Sequence, residues 1–311
     1  MTLQMKRLSS LALSIAGAAA VALSAVAVLA GQPAPPPWAP HCTVFPSGNV
    51  WNQRVTGLPV RRDSRQLLAS IGLESHLHPD FSNHGAYGIP INVVNSRTPR
   101  YRVAFQYRAE SDPGPYPIPP KPKIERGSDR HLILVDRDAC RLYEVYSAIR
   151  VGTKWTAGSG AIWNLASNAL RPVGWTSADA AGLPILPGLV RYDEVERGAI
   201  LHALRFTAPR TRRAFIYPAR HQAGATSAPN APPMGLRIRL KRSVSLAGFA
   251  PQARAILVAL RDYGMILADN GSPLYVSGIP DPRWNDDQLH QLARLTGADF
   301  EVVDTSRLRN R

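Results

Sequence analysis

The stretch HLILVDRDACRLYEVYSAIR, residues 131–150, consists of two β-rich runs joined by a short polar turn. Leu, Ile, Val and Tyr dominate both runs, and Arg137-Asp138-Ala139-Cys140 between them has the composition of a tight connection. We predict a β-hairpin here, with Cys140 where the turn enters the second strand. This hairpin decides the fold class, because similar short runs broken by Pro and Gly continue on both sides of it.

Further strands follow the same alternation. YRVAFQY (Tyr101–Tyr107) precedes a proline-rich loop, Ser111–Gly127, which we expect to stay outside any sheet because proline cannot donate to a ladder. GLRIRLKR alternates Leu and Ile with Arg237 and Arg239. That pattern predicts a half-buried strand with a basic, solvated outer face.

Two helices are expected near the C-terminus. PQARAILVALRDYG (Pro251–Gly264) opens on proline, has apolar residues at helical spacing and closes on glycine. NDDQLHQLARLTG (Asn285–Gly297) has acids in its first turn and glycine at its end. No fixed-period repeat, heptad or βαβ rhythm occurs. We therefore predict a mainly β fold, a β-sandwich or jelly-roll-like single domain with two peripheral helices.

The N-terminus has the pattern of an export signal. Lys6 and Arg7 precede an apolar run, and Val28-Leu29-Ala30 matches a small-residue cleavage site. A retained membrane anchor is the alternative, since about 20 apolar residues can span a bilayer. We predict a secreted or periplasmic protein with a signal peptide at 1–30, a proline-rich spacer at 31–41, one β-rich domain at 42–306 and a basic tail at 307–311.

The chain has two cysteines, Cys42 and Cys140. In an oxidising compartment an even pair is expected to form a disulfide, which would tie the start of the domain to the hairpin turn. Two cysteines without clustered histidines argue against a structural zinc site. We predict no metal and no cofactor.

The formal net charge is +15, and most of the basic residues are arginines spread along the chain. Scattered arginine is poor support for DNA binding, which favours a concentrated basic surface. The predicted partner is a polysaccharide or cell-envelope glycan. We expect no nucleic-acid partner, no membrane association after signal cleavage, and a monomer.

The stretch GWTSADAAGLPILPG, residues 174–188, contains a single charged residue, Asp179. Asp179 is either a cap on one short helical turn, a role Ser177 could also fill, or a carboxyl group whose apolar surroundings raise its pKa. A carboxyl kept protonated near neutral pH suits a general acid. Its partner carboxylate is expected to be Glu144, followed in preference by Asp136 and Asp193.

Aromatic and amide side chains near this stretch suit sugar binding, since sugar C–H faces stack on flat rings while the hydroxyls form hydrogen bonds. Trp163 and Trp175 are expected to form the sugar platform. The other candidate substrate-binding residues are Tyr146, Asn164 and Asp269.

Histidines offer two further hypotheses. His221, after a predicted strand, is the best isolated general-base candidate. In HLHPDFSNH, the positions of His78, Asp80 and His84 match no known metal-ligand spacing, and a turn with polar side chains bonding the backbone is the preferred interpretation.

Several sequence segments resemble those of a family of secreted hypothetical proteins of actinobacteria and acidobacteria. They include HCTVFPSGNVWNQRV, AGSGAIWNL, LRPVGWTSADAAGLPILPGLVRYDEV and YGMILADNGS. The resemblance covers nearly the whole chain after the spacer. It implies export and one full-length domain, and it implies no activity or catalytic residues.

The expected function is that of a secreted carbohydrate-active protein, a glycoside hydrolase with Asp179 as acid and Glu144 as base or nucleophile. One alternative is a polysaccharide lyase, in which His221 or Tyr146 removes a proton and an arginine neutralises a uronate. The other alternative is a non-catalytic glycan- or cell-envelope-binding module.

Overall fold

The computed structural model describes residues 33–81 and 86–310, which belong to one unit. Strands predominate in several sheets and the helices are few and short, which confirms the predicted mainly β class. The predicted signal peptide and His84 lie outside the described residues. Within the described ranges, no helix is long and apolar enough to cross a membrane.

The elements of the described residues are short. The α-helices are α1 (Ser64–Ile71), α2 (Tyr192–Glu196), α3 (Pro251–Asp262) and α4 (Asp286–His290). The strands are β1 (His78–Asp80), β2 (Ile91–Val94), β3 (Arg100–Tyr101), β4 (Val103–Phe105), β5 (Tyr116–Pro117), β6 (Leu132–Asp136), β7 (Arg141–Tyr146), β8 (Ile149–Val151), β9 (Lys154–Ala157), β10 (Ser159–Asn164), β11 (Leu204–Ala208), β12 (Arg237–Leu240), β13 (Met265–Asn270), β14 (Tyr275–Ser277) and β15 (Phe300–Val302).

The larger sheet has six strands in the order β1-β14-β11-β13-β12-β15. It is mixed, because β11 lies parallel to β13 while β12 is antiparallel to both of its neighbours. Residues of α3, including Ile256 and Leu260, are buried in one hydrophobic core with this sheet. The sheet thereby supplies a rigid base for the polar residues at the ends of β11 and β13.

The second sheet, β10-β7-β6-β2, contains the predicted hairpin. β6 and β7 pair antiparallel, with Leu134 opposite Tyr143, so the hairpin prediction is confirmed. Cys140, at positive φ in the connecting turn, forms the predicted disulfide with Cys42. Every residue of β6 is buried, which explains its continuous apolar run.

Two smaller sheets correct the predictions around the proline-rich loop. The predicted strand Tyr101–Tyr107 is broken into β3 and β4, which join different sheets. The loop itself contributes β5, whose Tyr116 lies opposite Tyr101. Pro117 is tolerated there because this two-stranded ladder requires few backbone donors.

The two C-terminal helices are present. α3 begins at the predicted Pro251, and the chain leaves it at Gly264 in a left-handed conformation. α4 begins after the cap Asn285 but ends at His290, and the chain continues as a 3-10 turn. Helix α1 was not predicted, because its buried face consists of only a few residues in a polar segment.

The predicted basic face of β12 is not solvated. Arg237 is fully buried and Arg239 nearly so. Arg237 donates hydrogen bonds to the backbone carbonyls of Val50, Gln53 and Tyr263, at 2.8–2.9 Å. The segment around residues 50–58 covers this face of the strand. The arginines therefore form internal hydrogen bonds instead of a charged surface.

Candidate functional site

A cavity of about 460 Å³ opens where the ends of β7, β10 and β13 meet the turn that contains Asp179. Its lining includes titratable side chains of tyrosine, aspartate, glutamate and histidine. Those used below are Tyr107, Glu110, Tyr146, Asp179, His221 and Asp269. Four of the predicted site residues are therefore brought together in one place, namely Tyr146, Asp179, His221 and Asp269.

Asp179 lies in a tight turn rather than at the start of a helix, so its interpretation as a helix cap is wrong. The hydroxyl of Ser177 accepts a hydrogen bond from the backbone N–H of Asp179 at 2.9 Å, which leaves the carboxylate free for another partner. Gly182 closes the turn at positive φ, and its N–H donates to the Asp179 carbonyl at 3.1 Å. The Asp179 residue is fully buried.

The partner of Asp179 is Arg205 on β11. Its Nε lies 3.0 Å from Oδ2 of Asp179 and its Nη2 lies 2.7 Å from Oδ1, which is the bidentate geometry of an ionised carboxylate. The Nη1 group donates to the hydroxyl of Ser277. Arg205 is itself nearly inaccessible to solvent, so this ion pair forms the floor beneath the cavity.

Asp269 lies beside this ion pair, at the end of β13. The register between β11 and β13 shifts after Phe206, so that Thr207 pairs with Asp269 and Ala268 is left as the extra residue. Such a bulge re-aims the side chains that follow it. The Asp269 side chain is 20% exposed, and its Oδ2 lies 3.8 Å from Nη2 of Arg205.

The Asp179 and Asp269 carboxyl groups are close enough to share a hydrogen bond. Burial and the negative charge of Asp179 raise the pKa of Asp269 to about 8, although Arg205 and His131 oppose the shift. Two adjacent carboxyl groups do not both ionise readily, and the pair retains one proton near neutral pH. Asp269 is the member that presents this proton to the cavity.

Glu144, the predicted partner, has another position. It is fully buried on β7, and its carboxylate accepts hydrogen bonds from the backbone N–H groups of Ile185 and Leu186 at 2.9 Å. Burial raises the pKa of Glu144 to about 7, while these donors oppose the shift and the charge of Asp179 adds to it. Glu144 anchors the chain that follows the Asp179 turn and is not among the described lining residues of the cavity.

The other two acids considered as partners are also engaged elsewhere. Asp136 binds Arg100 at 2.9 Å, and Asp193 binds Arg197 at 2.8 Å. Neither lines the cavity among the described residues. The carboxyl group beside Asp179 is therefore that of Asp269, a predicted substrate-binding residue.

His221 lines the cavity as predicted. Its Nδ1 lies 2.9 Å from the carbonyl oxygen of Ala180, so that nitrogen donates and Nε2 faces away from the backbone. Nε2 lies 3.9 Å from Oε2 of Glu110, a residue that the sequence analysis missed. The same Glu110 oxygen accepts a hydrogen bond from the N–H of Thr176 at 3.0 Å.

Trp163 and Trp175, the predicted sugar platform, are not among the described lining residues of this cavity. Their rings flank the guanidinium of Arg171, whose carbon lies 5.7 Å from the centre of the Trp163 ring and 5.4 Å from that of Trp175. Arg171 in turn donates to the carbonyls of Glu110 and Thr176 at 2.6 Å. The tryptophans thus support one wall of the cavity from behind.

Of the remaining predicted binding residues, Tyr146 lines the cavity and Asn164 does not. A side chain at position 158 would come within 2.5 Å of the Tyr146 ring, so Gly158 provides the space that the ring occupies. Asn164 is exposed at the end of β10, where its side-chain oxygen accepts from the N–H of Ala166 at 3.0 Å. It belongs to a turn, which is an ordinary use of asparagine.

The sequence gives weak signals for the residues that were missed. Arg205 occurs in an alternating strand, where a lone arginine among apolar residues indicates a buried charge that requires a partner.

Within residues 33–81 and 86–310, no three His, Cys, Asp or Glu side chains are grouped to hold a metal ion. His78 instead stacks on Tyr275, with ring centres 4.1 Å apart.

Comparisons with protein-family models, with curated proteins and with solved structures find no match for this chain.

Proposed function

We propose that this protein is a secreted glycoside hydrolase in which Asp269 is the general acid. The proposal depends on one observation, the Asp269 carboxyl group that faces the cavity beside Asp179, which is held ionised by Arg205. Cleavage of a glycosidic bond requires a carboxylic acid that remains protonated near neutral pH. This assignment moves the role of the acid from Asp179 to Asp269 and leaves Glu144 without a catalytic role.

In the proposed reaction, Asp269 donates its proton to the glycosidic oxygen while the bond from that oxygen to the anomeric carbon breaks. The leaving sugar departs as an alcohol, and positive charge develops on the ring that stays behind. Asp179, buried behind Asp269, stabilises this charge electrostatically and does not touch the substrate. Its negative charge also keeps the proton on Asp269 before the reaction.

Glu110 is the proposed second carboxylate. It lines the same cavity from a different element, the 3-10 helix Arg108–Glu110, and its side chain is 36% exposed and therefore reachable by substrate and water. As base it accepts a proton from the attacking water; as nucleophile it attacks the anomeric carbon directly. Nε2 of His221 lies 3.9 Å from the same Glu110 carboxyl group.

The charges of the cavity favour a neutral glycan over an acidic one. The described lining residues include four acids, Glu110, Asp129, Asp179 and Asp269, and no lysine or arginine. Arg205 beneath the floor is already bound to Asp179 and Ser277. A lyase needs a cation to neutralise a uronate, so this arrangement disfavours the lyase alternative.

A glycan-binding module is the second candidate. The bidentate contact between Arg205 and Asp179 also suits a buried ion pair that only maintains the shape of the cavity. In that case the exposed ring of Tyr107, together with Tyr146, would bind a sugar that is not cleaved.

The test is release of reducing ends from a panel of neutral plant, fungal and bacterial-envelope polysaccharides. We expect Asp269→Asn and Glu110→Gln to lower the rate by about 10²–10⁴-fold while calorimetry shows unchanged binding. Asp287→Asn, on the exposed surface of α4, is the matched control and should keep the native rate.

Three other outcomes would contradict the proposal. An Asp269→Asn protein that cuts at the native rate would remove Asp269 from the mechanism. Binding without cleavage by the native protein would identify a glycan-binding module. Products with an ultraviolet-absorbing unsaturated uronate would identify a lyase.

A further inference from the structure

His131 is a buried histidine whose two ring nitrogens both face oxygen acceptors. Nδ1 lies 2.6 Å from Oε2 of Glu125, and Nε2 lies 3.0 Å from the carbonyl oxygen of Ala178. A neutral imidazole has one donor and one acceptor, whereas an imidazolium has two donors. The carbonyl oxygen cannot donate, and an ionised Glu125 cannot either, since, although burial opposes the shift, the hydrogen bond and charge of His131 lower the pKa of Glu125. The geometry therefore favours the charged ring.

The ring connects the cavity to a distant part of the chain. Ala178 immediately precedes Asp179 and lines the cavity, whereas Glu125 lies at the end of the proline-rich loop. The backbone N–H of His131 also donates to Glu125, at 3.2 Å. His131 itself is only 2% exposed, so water cannot replace these hydrogen bonds.

We propose that His131 is a positioning residue of the site, an imidazolium bridge that fixes the turn of Asp179 and places a positive charge near Asp269 at neutral pH. The inference depends on the proposed function only in giving this charge a role in catalysis. The bridge itself is a statement about hydrogen bonds and protonation.

The surrounding charges agree with this assignment. Although burial favours the neutral ring, the hydrogen bond and charge of Glu125 raise the pKa of His131 to about 9. The titratable and charged groups that face or act on the ring are Glu125, Glu144, Tyr146, Arg205 and Asp269. The positive ring lowers the pKa of Asp269, so His131 opposes the combined effect of burial and Asp179.

Glu125→Gln is the most informative variant, because the amide has nearly the shape of the carboxylate. Its NH2 group can donate to Nδ1, so both hydrogen bonds of the ring survive when the ring becomes neutral, although this group cannot replace the oxygen that accepts from the backbone N–H of His131. The substitution thus removes the charge and keeps the bridge. Any change at Asp269 then reports on charge and not on a displaced turn.

Nuclear magnetic resonance of the full chain tests this without any substrate. We expect ¹⁵N shifts of native His131 to show both nitrogens protonated up to about pH 8. In Glu125→Gln the ring should titrate below neutral pH, with Nε2 as the protonated nitrogen above that transition. The ¹³C-carboxyl titration of Asp269, assigned with Asp269→Asn, should then move up by about 0.5–1 pH unit.

Two results would overturn the inference. One is a native His131 ring that is neutral at pH 7. The other is an Asp269 titration that stays in place when the ring of Glu125→Gln is neutral. If Glu125→Gln does not fold, the native ¹⁵N measurement and His131→Gln decide the same two points. An inactive protein with a charged His131 would refute the proposed function alone.

Discussion

Arg205 binds both carboxylate oxygens of Asp179 with Nε and Nη2, and the same Nη2 lies 3.8 Å from the Asp269 carboxyl group. One cation thus faces two acids, and it binds one of them far more closely than the other. This inequality makes Asp179 the ionised member and Asp269 the protonated member of the pair.

Asp179→Asn should therefore make Asp269 a stronger acid. Removing the neighbouring negative charge lowers the pKa of Asp269 from about 8, and the unpaired Arg205 acts in the same direction. The alkaline limb of the activity profile should move to lower pH. The ¹³C-carboxyl titration of Asp269 measures the same change directly, and an unchanged midpoint would show that the two acids do not interact.

Asp269→Asn should stabilise the fold at alkaline pH. The folded pKa of about 8 lies above the ordinary value of 3.8, so the native carboxyl contributes stability that is complete below pH 3.8 and is lost as the pH rises through 8. The neutral amide has no such loss. In urea unfolding, the free energy of unfolding of the variant should exceed that of the native protein by more than about 1 kcal/mol at pH 8 and by less at pH 5. Equal differences at both values would contradict the raised pKa.

Tyr146 and Trp175 should respond differently to substitution. Tyr146→Ala removes a ring that lines the cavity and should weaken glycan binding by about tenfold, as expected for losing one aromatic contact. Trp175→Phe keeps an aromatic face against Arg171 and should leave binding nearly unchanged. Calorimetry on the best-bound oligosaccharide compares the two, and the reverse order would restore Trp175 as the sugar platform.

Arg237→Met should destabilise the fold strongly. The substitution removes the Arg237 donor from the carbonyls of Val50, Gln53 and Tyr263, of which only that of Val50 keeps another donor, the N–H of Gln53. Each buried group left unsatisfied costs about 1–3 kcal/mol. We expect a total loss of about 3–5 kcal/mol in urea unfolding. Arg254→Met, on the exposed face of α3, is the control and should change stability by less than about 0.5 kcal/mol. Similar losses of stability in both variants would contradict a stabilising role for the internal hydrogen bonds of Arg237.

Removal of the disulfide should also destabilise the protein. Cys42 and Cys140 close a loop with a sequence separation of 98, for which the chain-entropy contribution is about 4–5 kcal/mol. The double Cys→Ser variant should lose most of this in urea unfolding. A reducing agent should lower the stability of the native protein and leave that of the variant unchanged. A native protein insensitive to reduction would argue against the bond in solution.

Local sequence patterns predicted the parts of the fold that neighbours in the chain decide. The alternating runs on either side of Arg137-Asp138-Ala139-Cys140 predicted the hairpin of β6 and β7, because side-chain period and turn composition are properties of adjacent residues. Pro251 and Gly264 marked α3 for the same reason. The pairing of Cys42 with Cys140 followed from their number alone.

Burial and partner choice were decided only by tertiary structure. Arg237 has the alternating pattern of a solvated strand face, yet the segment around Val50 covers it, and no local pattern reports which segment packs over a strand. The pair Asp179 and Asp269 has the same origin. The sequence marked both residues as unusual, but a bulge in β13 and the position of Arg205 on β11 bring them together. Chemistry between side chains distant in the chain depends on how the sheets pack, whereas the sheets' own strands depend mainly on local periodicity.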